Sequence, residues 1–377
     1  MAKEQYKQLV IEGFAEEADR ELSKLDLPET IIEPFDPNEI RIIPQTLSID
    51  SIIARINNDE IDLDTEFQRK ANLWKPDVQS RLIESLMLKL PLPAFYFDAS
   101  EDDKWLIVDG LQRLSTLNNF ILRETLTLTG LDILKSYDNK RLRFRDLPRM
   151  MQRRILEANV TCFLISPGTP KKVKYNVFKR INTGALSLND MEIRNALNQG
   201  TPSTFLKYFT ESNEFRRIIS LPSERMEDRE LVLRCIAFIM TNYKKYESPL
   251  GSFLDSAMEK LHRLSDKDLG ALAYLILRGI DIHTRIFGKH RFSRSIISDR
   301  INYRLNSALF EVWIVQLSFL SENEIERLFN NQNDLRKDYI NLFQDRNFNE
   351  SITSSTASKR AVHTRFSIIE HLIKKYI

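Results

Sequence analysis

Asp109, Gln112 and Arg113 fall within the stretch Lys104-Trp-Leu-Ile-Val-Asp-Gly-Leu-Gln-Arg-Leu-Ser-Thr-Leu-Asn118. An apolar run ends at Val108 and breaks at Asp109-Gly110. Leucines then follow at 111, 114 and 117, the change of period expected where a buried strand runs into a helix. Gln112 and Arg113 occupy the first turn of that helix. Free backbone N–H groups and the positive end of the helix dipole point outward there, so an amide and a guanidinium beside them make an anion or phosphate seat. A capped strand-to-helix junction with a solvated arginine explains the same residues, and the spacing alone leaves both readings open.

The elements that must position this stretch are read from the flanking pattern. Arg41–Ile43 predicts a short strand, Ser48 an N-cap, and Ile49, Ile52, Ile53 and Ile56 the apolar face of a helix. Ile61 and Leu63 alternate with acids as a half-exposed strand would. Phe67-Gln-Arg-Lys-Ala-Asn-Leu-Trp74 is a polar loop between aromatics, and Pro76 opens a helix with Val78, Leu82, Ile83, Leu86 and Leu90 on one face. Ala94–Phe97, Thr125–Thr129 and Val160–Ile165 predict strands. Val173, Val177, Phe178 and Ile181 form a helical stripe ending at Asn182-Thr-Gly184, and Asn189 can cap the helix after it. Beyond residue 200 the periodicity is almost wholly helical, with a hydroxyl-rich loop at 351–358 before a last helix carrying Phe366, Ile369 and Leu372.

Three segments follow: an acidic, proline-containing N-terminal arm over 1–39, an α+β domain with a small mixed sheet over 40–199, and a helical domain over 200–377. A composition of 42% apolar and 29% charged residues is that of an ordinary globular protein. No stretch approaches the roughly 18 uninterrupted apolar residues of a membrane span. The acidic N-terminus is unlike a secretory signal, so no membrane association and a cytoplasmic location are expected.

Cys162 and Cys235 lie inside apolar runs, which favours buried thiols over a disulfide or zinc site. The five histidines show no metal-ligand spacing. Net charge is only +2, yet residues 1–39 hold eleven acids against four bases, 135–154 eight bases against two acids, and 278–304 seven bases against two acids. Either basic segment can track a phosphate backbone, and either can be a solvated face.

Phe67-Gln-Arg with Trp74, Val108-Asp-Gly-Leu-Gln-Arg-Leu-Ser-Thr-Leu117, and Phe178-Lys-Arg-Ile-Asn-Thr-Gly184 with Glu192-Ile-Arg-Asn-Ala-Leu197 occur in that order. Together they resemble the N-terminal domain family of GmrSD-type restriction endonucleases. The segment Ser351–Phe366 resembles the end of that family's proteins, so the likeness covers about 40–377. It implies a ParB/sulfiredoxin-like fold and a site that binds and hydrolyses a nucleoside triphosphate, GTP or ATP, with Mg2+.

In the family's Asp-Gly-Gln-Gln-Arg motif, Asp109, Gly110, Gln112 and Arg113 hold the matching places, and Leu111 replaces the first glutamine. Gln68 and Arg69 match its other polar pair. Arg113 and Arg69 would then neutralise phosphate oxygens, Asp109 would hold the metal or orient a water, and Gln112 would position that water. Ser115 and Thr116 lie within a turn of the seat. No Walker A loop is present.

No His-Asn-His-type nuclease cluster is found, so the resemblance implies a sensor or regulatory protein of an anti-phage restriction system that works with a separate nuclease or effector, alone or as a homo-oligomer. A non-enzymatic DNA-binding or assembly protein with a ParB-like fold is the alternative. A ParB-like nuclease is the weaker one.

Overall fold

The computed structural model describes residues 41–61, 63, 74–101, 103–138, 140–181, 188–219, 225–297 and 305–377. The chain divides into two units, one over 35–199 with 224–226 and the other over 200–223 and 227–377. The first is α+β and the second is helical.

The α+β unit begins with β1 (Ile42–Ser48), which continues five residues past the predicted Arg41–Ile43. Ser48 ends it and caps α1 (Ile49–Asn57), its Oγ accepting from Ser51 N at 3.1 Å, and the four isoleucines of α1 are buried on one face. α2 (Pro76–Met87) starts on proline, as predicted, but stops short of Leu90, which is exposed. There follow β2 (Phe95–Glu101), β3 (Lys104–Asp109), α3 (Leu111–Leu117), a π-helical turn at Asn118–Leu122, α4 (Arg149–Leu156), β4 (Asn159–Ile165), α5 (Lys171–Ile181) and α6 (Asp190–Leu197).

The four strands form one mixed sheet in the order β1-β4-β2-β3, in which only β4 and β2 are parallel. β1 is an edge strand, and its proline is placed accordingly. Ser166 N donates to Arg41 O and Ile49 N to Ala158 O, and both pairs fit the register of Ile42 opposite Ile165. Odd-numbered residues of β1 therefore bond to β4 and even-numbered ones face away. Pro44 is among the latter, so its missing N–H costs the ladder nothing and interrupts the row of donors on the free edge.

One sheet face, with Phe95, Phe97, Ile107 and Cys162, packs against Ile52, Ile83, Leu86, Leu114, Leu117, Phe120 and Ile155 in a single core. On the opposite side Tyr96 stacks on Phe163 at 4.9 Å. Lys174 of α5 pairs there with Asp98 at 2.9 Å, both side chains being buried, and Ser100 Oγ joins the pair.

Among the described residues, the strand expected at Thr125–Thr129 does not form. Thr125–Thr129 does alternate, with Leu126 and Leu128 buried. Its N–H groups, however, go to separate acceptors: Asn119 O for residues 125 and 126, Leu142 O for 128 and Ser80 Oγ for 129. Alternation thus reflects one-sided burial of an extended segment without a ladder partner. Ile61 and Leu63 are both buried, and Ile61 bridges to Trp105.

The loop after residue 130 is held differently again. The Glu84 carboxylate accepts from Asp132, Ile133 and Leu134 N at 3.0, 2.8 and 2.6 Å. Burial alone would raise its pKa, but those three N–H groups and Lys135 outweigh it and hold the carboxyl below its ordinary value.

The helical unit runs α7 (Thr201–Glu211), α8 (Asn213–Ile218), α9 (Glu227–Met240), α10 (Leu250–Leu261), α11 (Asp266–Phe287), α12 (Ser307–Ser318), α13 (Glu322–Asn330), α14 (Gln332–Leu342), α15 (Arg346–Thr353) and α16 (Lys359–Lys374). α11 and α12 cross closely at Gly279, where a Cβ would lie 2.9 Å from Ile314 O. Glu311 of α12 is fully buried and accepts from Arg234 Nε of α9 at 2.7 Å and Arg365 Nε of α16 at 3.0 Å. Arg365 also donates to Ser351 O and Thr356 O, so the hydroxyl-rich turn is fastened to the core from beneath. Residues 351–353 of the predicted loop belong to α15. Cys162 and Cys235 are buried free thiols, and burial pushes Cys162 up to about 11. No helix of the described residues is long and apolar enough to cross a membrane.

Candidate functional site

β3 carries the site to the edge of the core. Trp105, Ile107 and Val108 are buried, and the next residue, Asp109, leaves the interior with its side chain 41% exposed. Gly110 makes the turn into α3 at φ +108°. A Cβ there would meet Phe95 Cδ1 at 2.5 Å, so both the backbone angle and the space require glycine. Leu111, Leu114 and Leu117 then fix α3 in the core.

Arg113 is placed where the sequence does not foretell. It is 8% exposed, and its guanidinium lies over the Phe95 ring at 4.5 Å. One terminal nitrogen donates to Pro93 O, while the other donates to Ala94 O at 3.2 Å and Asp109 Oδ2 at 2.9 Å. The arginine thus ties the entry of β2 to the exit of β3 and orients the carboxylate of Asp109. Burial lowers its pKa, an effect that Asp109 opposes, and a guanidinium stays charged throughout.

Gln112 is half-buried on the same turn, its Oε1 accepting from Trp74 N at 3.3 Å. Trp74 O in turn accepts from Gln79 Nε2 at 2.8 Å, so the chain entering α2 is pinned beside Gln112. Tyr96 stands opposite Asp109 across β2 and β3. Asp109, Gln112 and Tyr96 are therefore gathered at one end of the sheet.

Ser115 and Thr116 are both buried. The Thr116 hydroxyl donates to Gln112 O at 2.7 Å, a bond within its own helix, and the Ser115 hydroxyl has no hydrogen-bond partner among the described residues. Gln68 and Arg69, with Phe67 and the Asn182-Thr-Gly184 segment, lie outside the described residues. Glu192 acts in a capping box with Asn189 and accepts from Arg225 at 2.9 Å, so this part of the third motif is architectural.

Sequence reasoning missed the carbonyls of Pro93 and Ala94 and the ring of Phe95 as partners of Arg113, as well as the Asp98–Lys174–Ser100 cluster. The two prolines of Leu90-Pro-Leu-Pro93, one residue apart, were the available signal for the first. A chain stripped of donors and held extended leaves carbonyls that a neighbouring side chain must satisfy.

Residues 49–199 match the family model described as GmrSD restriction endonuclease, N-terminal domain. The chain carries a GmrSD N-terminal domain. It spans the whole constellation from α1 to α6, including Asp109–Arg113, and points to a component of a restriction system. No curated protein and no solved structure matches the chain.

Proposed function

We propose that the GmrSD N-terminal domain binds a nucleoside triphosphate, GTP or ATP, at the Asp109 end of β3 and hydrolyses it, acting as the sensor or regulatory part of a restriction system whose cutting is done by a separate nuclease or effector. The observation that carries this reading is the half-exposed Asp109 carboxylate, oriented from behind by a buried arginine and flanked by Gln112. A fixed carboxylate with an amide one turn away can orient a water for in-line attack on a terminal phosphate. In this geometry Arg113 serves as a positioning residue, and phosphate neutralisation is assigned to Arg69.

The donor set fits Mg2+ in one form only. Among the described residues no group of three or more acidic, histidine or cysteine side chains gathers as a protein cage. A single carboxylate supplemented by phosphate oxygens and water is a common magnesium arrangement. Asp109 would hold the ion, which when bound would offset charge on the phosphates.

The test is phosphate release from a panel of nucleoside triphosphates, with and without DNA, by the full chain and by Asp109→Asn and Gln112→Ala. Loss of turnover in Asp109→Asn, with the fold retained by circular dichroism, supports the reading. Unchanged turnover in both variants removes the assignment.

A DNA-binding role is favoured by one surface. Lys140, Arg141, Arg143 and Arg149 are exposed and form no ion pair among the described residues, and Met150 beside them is 55% exposed. The other basic segment is more committed: Arg278 pairs with Glu322, Arg285 with Asp281, and Arg291 donates to Ile218 O. Residues 298–304 lie outside the described chain. Charge reversal at Arg141 and Arg143 should weaken DNA binding and flatten its salt dependence, and an unaltered salt slope would remove this face from the interface.

A further inference from the structure

His283 on α11 is 1% exposed, and neither ring nitrogen has a hydrogen-bond partner among the described residues. Its ring stacks on Phe292 at 3.9 Å with the planes 13° apart, while Phe287 at 4.5 Å and Trp313 of α12 at 5.3 Å close further sides. Phe292 is itself 1% exposed and sits at φ +50°, a left-handed conformation that a bulky residue keeps only where its surroundings hold it.

Phe292 belongs to a strap, residues 288–297, that leaves the end of α11. Gly288 turns the chain at φ +55°. Arg291 donates through Nε and Nη2 to Ile218 O, at 3.0 and 2.8 Å, and Phe292 O accepts from Asn306 N at 2.8 Å. The Phe292 ring also meets Phe310 of α12 edge-on at 4.7 Å. The strained residue is thus kept in place by aromatic packing, with His283 as its face-to-face partner.

We infer that His283 is an acid-sensitive latch: the neutral imidazole holds the strained strap 288–297 closed through its stack on Phe292, and protonation releases the strap. An imidazolium carries two N–H donors and a charge, and the box around it offers rings. The ring faces offset part of the cost of an unpaired buried charge, and opening the strap to water relieves the rest.

Among the described residues, the surrounding charges do not supply a counter-ion. Arg291 on the strap bears on the ring and opposes protonation. Glu311 on α12 accepts from both Arg234 and Arg365. On α14, Arg336 donates to Ile286 O, and burial pushes the Tyr339 hydroxyl up, so it remains neutral. Burial first, and Arg291 second, place the pKa of His283 well below its ordinary value of 6.5. The open form therefore binds more protons than the closed form below that value, and closure weakens as the pH falls.

The test is backbone amide protection, corrected for intrinsic exchange, in the strap and in α9 of the full chain across pH 7 to 5. In the wild type, strap protection should fall by up to about tenfold per pH unit below 6.5 while α9 stays protected. In His283→Phe, which keeps an aromatic ring and cannot protonate, the fall should vanish. An equal fall in the variant, or a flat wild-type profile, overturns the inference. Should His283→Phe fail to fold, the 13C-labelled histidine signals of the wild type decide. Titration of His283 in step with strap opening supports the latch, and titration near 6.5 with the strap still protected refutes it.

Discussion

Replacing Arg113 by alanine should unfold the α+β unit more readily than it disables a formed site. The side chain is only 10% exposed and joins three acceptors, Pro93 O, Ala94 O and Asp109 Oδ2, above the face of Phe95. Hydrogen bonds from a charged donor contribute about 1.5–3 kcal/mol each, and the ring contact about 1 kcal/mol. These terms do not add, because one truncation removes them together. Loss of one partner from a fully buried pair costs about 3–5 kcal/mol, but the Asp109 carboxylate left behind is 41% exposed and open to water, so about 2–3 kcal/mol is expected here. For a unit of this size that corresponds to a fall in melting temperature of roughly 4–12 °C.

Asp109→Asn separates structure from chemistry. The carboxylate is half-exposed, and an asparagine oxygen can still accept from Arg113, so the stability cost should stay below about 1 kcal/mol while turnover is lost. Arg113→Lys should fall between the two, since an ammonium keeps the charge but cannot reach both strands as a fork does. The assay is denaturation followed through Trp105, which is buried in the same unit, alongside phosphate release. Should Arg113→Ala retain wild-type stability to within about 0.5 kcal/mol, a typical effect for a surface substitution, while losing nucleotide binding, the arginine contacts phosphate and the structural reasoning fails.

Three further outcomes follow from the same unit. Gly110→Ala should destabilise it by at least about 1–3 kcal/mol from backbone strain, with more from the clash against Phe95, as read by thermal melting; a neutral result would mean that the turn relaxes. Asp98→Leu or Lys174→Met alone should cost about 3–5 kcal/mol, and the double variant Asp98→Leu with Lys174→Met should recover most of the loss, as a double-mutant cycle would show. For Glu84 the folded pKa lies below its ordinary value of 4.5, so its stabilising contribution is complete above that pH and is lost as the pH falls through the folded value. Glu84→Gln should be less stable at pH 7 and lose this component of the acid sensitivity, and identical slopes of stability against pH below 4.5 would exclude the backbone cradle as the cause.

What the sequence made legible was whatever a local period encodes. Ser48, Pro76 and Asn189 mark helix starts, and all three open helices where expected, because a cap acts within one turn of its own residue. The strand-to-helix change at Asp109-Gly110 is also found, since a glycine between a buried run and a leucine stripe leaves few alternatives. Thr125–Thr129 misled for the opposite reason: alternation reports which side is buried, whereas a strand also needs a partner in register, and that partner is set by distant chain.

The same distinction governs the candidate site. That an aspartate and an arginine sit four residues apart is visible in the sequence, and on adjacent turns they can pair. Which of them turns outward depends on Pro93, Ala94 and Phe95, some twenty residues earlier in the chain. Those carbonyls draw the guanidinium inward, leaving the carboxylate as the group presented to a ligand. A motif thus specifies the reactive groups, while the strand packed beside it decides which one faces the chemistry and which one holds the other in place.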